Sequence, residues 1–199
     1  MTSQQIDVDH LVNTFWKLVE IFPEKRKELV TKMMTFGPVG TSYFTAPASS
    51  REEFHACWPG GLLFHSINVV QNLRKISKSL CPGKYDDATL AFVGLFHDLG
   101  KVGDGVNEYY KPNESDWHRN KGMLYEINKD CVFMPTSERG LFILQSNGIE
   151  VTSEEYLAIR LNDGQYDETN KSYRMKEPGL ALLVHWADMW STLSEKKTT

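Results

Sequence analysis

The chain has 199 residues, of which 41% are hydrophobic and 24% are charged, and it carries a formal net charge of −4. This composition excludes an intrinsically disordered chain, and the length predicts one folded domain with a full hydrophobic core. Because acidic residues outnumber basic ones, the net charge does not favour a long nucleic acid as the partner. An anionic substrate would need a local cationic site or a metal.

The cysteines and the N-terminus predict a cytoplasmic protein. Cys57, Cys81 and Cys131 are widely spaced and form no CxxC pair, which argues against a disulfide scaffold or a structural zinc knuckle and for a reducing compartment. The first residues, MTSQQIDVDH, lack the basic leader and the apolar core of a signal peptide. The most apolar late segment, LALLVHWADMW, is interrupted by His185 and Asp188, so we expect no membrane span.

Helical periodicity dominates the first part of the chain. An apolar stripe in DVDHLVNTFWKLVEIF predicts a first helix, which Asp7 or Asp9 is able to cap. Pro23 ends this helix and suits the first turn of a second one, whose apolar stripe lies at residues 29–34. The next segment, FGPVGTSYFTAPASS, is rich in Gly, Pro and Ser and is predicted to be a loop.

The rest of the chain is also predicted to be helical, which makes the fold class all-α. A third helix is predicted over Leu62–Leu80, and a fourth, TLAFVGLFHDLGKV, is apolar on nearly every face, as expected of a central helix. Residues 103–135 have weak periodicity, many aromatic residues and several charges, and are predicted to form an irregular excursion. Further helices are predicted over 137–147, 153–162 and 178–195. No segment shows the alternation and turn chemistry of a β-strand.

Polar residues interrupt the apolar helices at three places. His97 and Asp98 are adjacent at the end of the most buried helix, where a carboxylate is costly unless it is paired or bound to a metal. His65 lies within GGLLFHSINVV and Asp188 within LALLVHWADMW, each flanked by residues that belong in a core. A single buried histidine is more often a satisfied core residue, but four such residues together are hard to explain by chance.

These four residues form a mixed set of metal ligands. Two imidazoles and two carboxylates, delivered by three helices, suit Mn, Fe, Co, Ni or Zn better than Ca or Mg. Four protein ligands on a metal that takes six leave places for a water and for a substrate oxygen. The pattern therefore predicts a hydrolytic centre with a divalent transition metal.

The order His65, then His97 and Asp98, then Asp188 resembles the H…HD…D pattern of the HD superfamily of metal-dependent phosphohydrolases. The resemblance covers roughly residues 50–195 and includes the strings HACWPGGLLFHS, LFHDLGK and LVHWADMWST. It implies one HD-type helical bundle over 1–199, with residues 1–49 as N-terminal helices and loop and 50–195 as the HD core. It also implies that these four residues are the metal ligands.

More narrowly, the strings YYKPNESDWHR and AIRLNDGQY resemble the short HD hydrolases of tailed bacteriophages, which implies the cytoplasm of a host cell as the location. Relatives with two metals commonly carry paired histidines where this chain has LNDG at 161–164, so the resemblance implies a single metal. Asp163 is a candidate ligand or general base, although Asn-Asp-Gly is also an ordinary helix stop. A carboxylate is expected to accept the proton of the attacking water, and three remain candidates: Asp98, Asp104 and Asp163.

Several cationic residues are candidates for substrate contacts. Lys101 follows the HD pair by three and four residues and projects from the same side of a helix, either to bind a phosphate or to complement the helix C-terminus. In the excursion, Arg119 and Lys121 are candidates to bind phosphate oxygens, with a solvated charged loop as the alternative. His118 is a candidate acid for the leaving group.

Four further residues were considered for the candidate site. His55 precedes the Gly-Gly turn and is expected to line the cleft, as the resemblance implies. Tyr109 and Tyr110 are candidates to stack on a base, with a small core of the excursion as the alternative. His185, one helical turn before Asp188, is predicted to be a core or surface residue rather than part of the site.

The leading functional hypothesis is a metal-dependent phosphohydrolase that acts on a small-molecule nucleotide, either a (deoxy)nucleoside triphosphate triphosphohydrolase or a 5′-nucleotidase. The second is an exoribonuclease or phosphodiesterase acting on short oligonucleotides or cyclic nucleotides, because PGGLLFHS also resembles HD exoribonucleases. The third is a non-catalytic HD module that binds a nucleotide. Neither a membrane nor a long nucleic acid is expected as a partner, and the apolar N-terminal helices leave homo-oligomer formation open.

Overall fold

A computed structural model describes residues 7–196 of the chain. Within this range the α-helices are α1 Val8–Val19, α2 Glu24–Thr35, α3 Pro38–Thr45, α4 Gly61–Leu80, α5 Asp87–Phe96, α6 Asp116–Asn120, α7 Thr136–Ser146, α8 Ser153–Arg160 and α9 Gly179–Glu195. Two short strands, β1 Tyr110–Pro112 and β2 Tyr125–Ile127, pair in antiparallel fashion, and 3-10 turns cover Leu99–Val102, Gly164–Tyr166 and Glu168–Tyr173. The predicted all-α class is confirmed. None of the helices described is long and apolar enough to cross a membrane.

Several helices begin with a side-chain N-cap at the position where the sequence predicts the start of a helix. The Asp7 carboxylate accepts a hydrogen bond from the backbone N–H of His10, so Asp7 rather than Asp9 caps α1. Thr152 and Glu155 form a reciprocal capping box at the start of α8. The helices predicted over 137–147, 153–162 and 178–195 are found within two residues of those bounds.

The centre of the fold is the packing of α4 against α5 and α9. Residues 90–96 of α5 are all buried, as the apolar character of this helix on every face predicts. Gly94 permits the close approach of α5 to α4, because a Cβ atom at this position would lie 2.7 Å from the side chain of Val70. This close packing brings the C-terminal end of α5 next to the middle of α4.

Two predictions about helices are wrong. The segment predicted to be a loop after α2 contains α3, because Pro38 occupies the first turn of a helix and Tyr43 is fully buried, with its hydroxyl donating to the carbonyl of Leu95. The fourth predicted helix ends at Phe96 instead of continuing to Val102, and a 3-10 turn follows it.

The excursion over 103–135 is more ordered than the sequence predicts. It contains the β1–β2 hairpin and α6, although no strand was expected, because three-residue strands carry too little alternation to be recognised. The Asp104 carboxylate accepts hydrogen bonds from the backbone N–H groups of Val106, Asn107 and Val132 and so joins both ends of the excursion. Arg139 on α7 also joins it to the 3-10 turn after α5, by donating to the carbonyls of Val132 and Gly100.

We expect Gly100→Ala to lower the free energy of unfolding by about 3 kcal/mol. A Cβ atom at Gly100 would lie 2.0 Å from the carbonyl oxygen of Thr136, so α7 would have to move away from the 3-10 turn. Urea unfolding followed by circular dichroism measures this loss.

Gly148→Ala is the control, because its Cβ would meet no atom within 4 Å and its φ of +71° adds only left-handed strain. That strain costs about 1 kcal/mol. Equal losses in the two variants would contradict the close approach of α7 to the 3-10 turn.

Candidate metal centre

The structure brings together the four predicted ligands from three places in the fold. His65 lies in α4, His97 and Asp98 directly follow α5, and Asp188 lies in α9. Nε2 of His65 is 3.0 Å from Asp188 Oδ1 and 3.8 Å from Asp98 Oδ2. Nε2 of His97 is 3.6 Å from Asp98 Oδ2 and 3.8 Å from Asp188 Oδ1.

The two histidines present buried nitrogen atoms that lack hydrogen-bond partners. Both side chains are 0% exposed, and Nε2 of each has no hydrogen-bond partner among the described residues. The short contact between His65 and Asp188 lacks hydrogen-bond geometry. A buried polar atom without a partner costs about 1–3 kcal/mol, so the arrangement calls for a group that binds these nitrogens.

A metal ion fits these atoms. Ligand atoms of His65, His97 and Asp98 lie within 4.8 Å of one another, and Asp188 adds a second carboxylate to the same cluster. Imidazole nitrogen and carboxylate oxygen bind a transition metal at about 2.0–2.2 Å, so two ligands of one ion lie about 3–4 Å apart. The buried His and Asp side chains are therefore able to hold a metal ion.

Hydrogen bonds on the other nitrogen of each ring fix which nitrogen faces the cluster. Nδ1 of His97 lies 2.8 Å from the carbonyl oxygen of Gly94, and Nδ1 of His65 lies 2.9 Å from Glu195 Oε2. A carbonyl or a carboxylate oxygen accepts but does not donate, so Nδ1 carries the proton in both rings. In the neutral rings, the lone pairs of Nε2 therefore point toward the carboxylates, as in metal-binding histidines.

Charges of opposite sign stabilise one another in the cluster. Burial opposes protonation of His65, but the neighbouring carboxylates of Asp188 and Glu195 raise its pKa to about 9. Burial also opposes ionisation of the two ligand carboxylates. Even so, Lys101 and His97 hold the pKa of Asp98 below its ordinary value, and His65 and His97 do the same for Asp188. Without a metal, a proton on His65 takes the position that a cation would hold.

Glu195 is a functional candidate that the sequence analysis missed. Its carboxylate is 3% exposed and binds both Nδ1 of His65 and the side-chain amide of Asn68, the latter at 2.8 Å. The signal was present in the spacing, because Glu195 follows Asp188 by seven residues, or two turns of α9, and therefore lies on the same helix face. Ser191, which lies between them on that face, is 0% exposed.

Lys101 lies beside the cluster, next to the ligand Asp98. Its ammonium group lies 2.6 Å from Asp98 Oδ2 and donates to the carbonyl oxygen of Ala48 at 2.8 Å. Burial disfavours the charged form, but Asp98 raises the pKa of Lys101 above its ordinary value. Two of its three N–H bonds are thus used within the protein, and the third has no acceptor among the described residues.

Of the other two carboxylates considered as the general base, only Asp163 lies near the cluster. Burial, followed by the charges of Asp98 and Asp188, raises the pKa of Asp163 above its ordinary value. Asp163 and Asp188 also line the same cavity, of about 440 Å³. The Asp104 carboxylate is instead occupied by the backbone N–H groups of the excursion, which lower its pKa.

His55 lies against the cluster, as the resemblance implies. Its ring centroid is 4.4 Å from that of His65, and its Nε2 has no hydrogen-bond partner among the described residues. Burial, followed by the charges of His65 and Lys101, lowers the pKa of His55 to about 3. His55 is therefore neutral at pH 7 and contributes a polar wall rather than a charge.

The candidate substrate-binding residues of the excursion contact other residues of the excursion. Arg119 donates to the carbonyl of Asn113 and to the Asp116 carboxylate. Lys121 is exposed at the end of α6, and the His118 ring lies edge-to-face against Trp117. Among residues 7–196, no hydrogen bond or ion pair joins these three candidates to the metal ligands.

Tyr109 is already engaged by neighbouring side chains. The Arg139 guanidinium lies 4.8 Å from the centroid of its ring, and the Tyr110 ring meets it edge-to-face at a centroid distance of 4.8 Å. His185, predicted to be a core or surface residue, is partly buried, and its Nδ1 lies 2.7 Å from the carbonyl oxygen of Asn162.

Comparison with protein-family models, with curated proteins and with solved structures finds no match to this chain. The function therefore has to be inferred from the side chains of the centre and from the cavities beside it.

We expect Mn, Co or Zn to raise the unfolding temperature of the wild-type protein, because a ligand that binds only the folded state stabilises it. At a metal concentration 100 times Kd, the gain is about 2.7 kcal/mol. His97→Gln removes one ligand and should lose this gain, and Asp98→Ala should do the same.

His185→Gln is the control for this experiment, since His185 bonds to a backbone carbonyl and is not one of the four ligands. Circular dichroism establishes that each variant folds. An undiminished metal-dependent shift in His97→Gln would show that the cluster does not bind the metal.

We expect Glu195→Ala to weaken metal affinity by about 10–100-fold, because the ring of His65 loses the partner that fixes its tautomer. Glu195→Gln should weaken it less, since the amide oxygen still accepts a hydrogen bond from Nδ1. Competition with a chromophoric chelator measures both affinities. Equal affinity in Glu195→Ala and the wild type would mean that Glu195 has no orienting role.

Proposed function

We propose that this chain is an HD-type phosphohydrolase that uses one divalent transition metal, Mn, Fe, Co, Ni or Zn, to hydrolyse a phosphate bond of a nucleotide. The observation that carries the proposal is the pair of buried imidazole nitrogens that lack hydrogen-bond partners and face two carboxylates. The order of the ligands along the chain, with Lys101 after the HD pair, supports the resemblance to this superfamily.

Charge balance supports one divalent ion rather than two. The carboxylates of Asp98, Asp188 and Glu195 are buried together, Lys101 is paired with Asp98, and Asp163 lies beside Asp188. One divalent ion in addition to Lys101 neutralises the first three carboxylates and leaves the negative charge of Asp163 available to accept a proton. A second divalent ion would leave excess positive charge in a buried site even with Asp163 ionised. The absence of further histidines at 161–164 agrees with this count.

The chemistry needs a Lewis acid, a proton acceptor and a positive charge near the phosphate. A divalent metal bound by His65, His97, Asp98 and Asp188 would lower the pKa of a water molecule and polarise a phosphoryl oxygen. During hydrolysis the water oxygen forms a bond to phosphorus, the P–O bond to the leaving group breaks, and the water's proton must be accepted. Lys101 lies where its remaining N–H bond can stabilise the negative charge that develops on phosphate oxygens.

Asp163 is the carboxylate best suited to accept that proton. Asp98 is paired with Lys101 and Asp104 with backbone N–H groups, whereas Asp163 borders the cavity next to Asp188 and has a raised pKa. A base whose pKa lies closer to neutrality is more effective, because it accepts the proton more readily and is still ionised at pH 7. Asp163 would then return the proton to the oxygen of the leaving group.

The test of the proposed function is phosphorus NMR of deoxynucleoside mono- and triphosphates incubated with the protein and with Mn, Co or Zn, the metal being removed before each spectrum. We expect inorganic triphosphate from a triphosphohydrolase or orthophosphate from a 5′-nucleotidase, with one bound metal per chain. No product from any nucleotide would overturn this function. In that case oligonucleotides, cyclic nucleotides and binding without turnover would be the hypotheses to test next.

We expect Asp163→Asn to lower kcat by about 10²–10⁴-fold while metal content stays unchanged. In the wild type, the rate should fall as the pH falls through the pKa of Asp163, because the protonated carboxyl cannot accept a proton, and this acidic limb should be absent in Asp163→Asn. Asp104→Asn tests the other candidate and should affect the stability of the excursion more than the rate. The reverse ranking of the two rates would assign the base to Asp104.

A further inference from the structure

One cavity borders the metal centre and a second borders Lys101 beside it, and the two differ in size and in lining. The larger, of about 440 Å³, is bordered by Asp163 and Asp188 and by side chains of α9. The smaller, of about 280 Å³, is bordered by Lys101, Tyr109 and Tyr110. Cavities that bind small molecules usually measure about 300–1,000 Å³, so only the larger one is in the range for a nucleoside.

The larger cavity combines carboxylates with apolar and aromatic side chains. The Asp188 side chain is 17% exposed, that of Asp98 is 10% exposed and both imidazoles are fully buried, so Asp188 is the most exposed of the four ligands. Met189 and Leu193, one turn apart on an adjacent face of α9, are exposed, and both line this cavity together with Tyr166 from the turn after Asp163. A molecule bound here would thus have one end beside the metal ligands and the other against apolar groups.

The aromatic ring that is available to a ligand is Tyr166, not Tyr109. Tyr109 is covered by the Arg139 guanidinium and by the Tyr110 ring, both at 4.8 Å from its centroid. Tyr166 is 80% exposed, and its ring meets the ring of His185 at a centroid distance of 6.1 Å. An exposed aromatic ring at the border of a cavity accepts the face of any base, whereas a ring held between two side chains does not.

We infer that the larger cavity binds the nucleoside part of the substrate, with the base stacked on the ring of Tyr166 and against Leu193, while the phosphate lies at the metal centre. This inference rests on the proposed function, and it names the base as the part of the substrate that the protein recognises. From the sequence alone, the candidates for that contact were Tyr109 and Tyr110 in the excursion.

The chain positions Tyr166 to do this. Asp163 ends the turn after α8, and the 3-10 turn Gly164–Tyr166 directly follows it, so the candidate base and the aromatic ring are three residues apart. The backbone N–H of Tyr166 donates to the carbonyl of Asp163. The backbone positions of the candidate base and of the aromatic residue are therefore fixed relative to each other.

The experiment measures the affinity of deoxyadenosine, which has a base and no phosphate, by saturation-transfer NMR, with deoxyribose 5-phosphate as the probe that has a phosphate and no base. Tyr166→Ala should weaken deoxyadenosine binding by about fivefold or more and leave the sugar phosphate unchanged, whereas Tyr166→Phe should keep the wild-type affinity. Tyr156→Ala is the matched control, because Tyr156 is a half-exposed tyrosine at a cavity formed by α7 and α8.

Two results would overturn the inference. One is an unchanged affinity for deoxyadenosine in Tyr166→Ala, or no binding to the wild type at all. The other is a loss of affinity in Tyr109→Ala instead, which would place the base in the smaller cavity. Because Tyr166 is exposed, its substitution should not impair folding, and circular dichroism checks this.

Failure of the inference and failure of the proposed function are distinguishable. Deoxyadenosine has no phosphate bond to break, so its binding does not depend on catalysis. If nucleotides are hydrolysed but Tyr166→Ala binds deoxyadenosine normally, the function stands and the base-binding site is wrong. If deoxyadenosine binding depends on Tyr166 but no nucleotide is hydrolysed, the cavity binds a nucleoside and the phosphohydrolase proposal is wrong.

Discussion

The burial of two imidazole rings against two carboxylates is the constraint on which the rest of the structure depends. His65 and His97 have their Nδ1 protons bound by Glu195 and by a backbone carbonyl, so their Nε2 lone pairs face negative charge. Such an arrangement is favourable only when a cation lies among the four groups. In the metal-free protein a proton on His65 provides part of that charge, which is why its pKa is raised to about 9. A metal ion would provide all of it.

The two sides of the centre differ in charge. Lys101 supplies positive charge on the side of the smaller cavity, while Asp163 and Tyr166 lie in consecutive turns on the side of the larger one. A phosphate at the centre would therefore have a cation on one side and a proton acceptor on the other. The excursion over 103–135 contains the residues that the sequence suggested for substrate binding. Its two ends are joined by hydrogen bonds to the Asp104 carboxylate, and its residue Tyr109 packs against Arg139.

Much of the fold could be predicted, because helix periodicity and capping are local properties. The helices at both ends of the chain, the buried α5 and the cap at Asp7 all follow from residues within one or two turns of each other. The helix α3 could not be found in this way, because its Gly and Ser content is typical of a loop. It is stabilised instead by the burial of Tyr43 beneath α5, a contact between residues 52 positions apart.

The sequence by itself determined the all-α class and the four residues of the centre, because a polar residue inside an apolar helix is visible without coordinates. Only the tertiary structure decided which other residues lie near that centre. Glu195, Asp163 and Tyr166 come near it through the packing of α9 and the turn after α8, whereas Tyr109 is covered by Arg139 from α7. These outcomes depend on contacts between distant segments, and no local pattern of residue types encodes the distances between them.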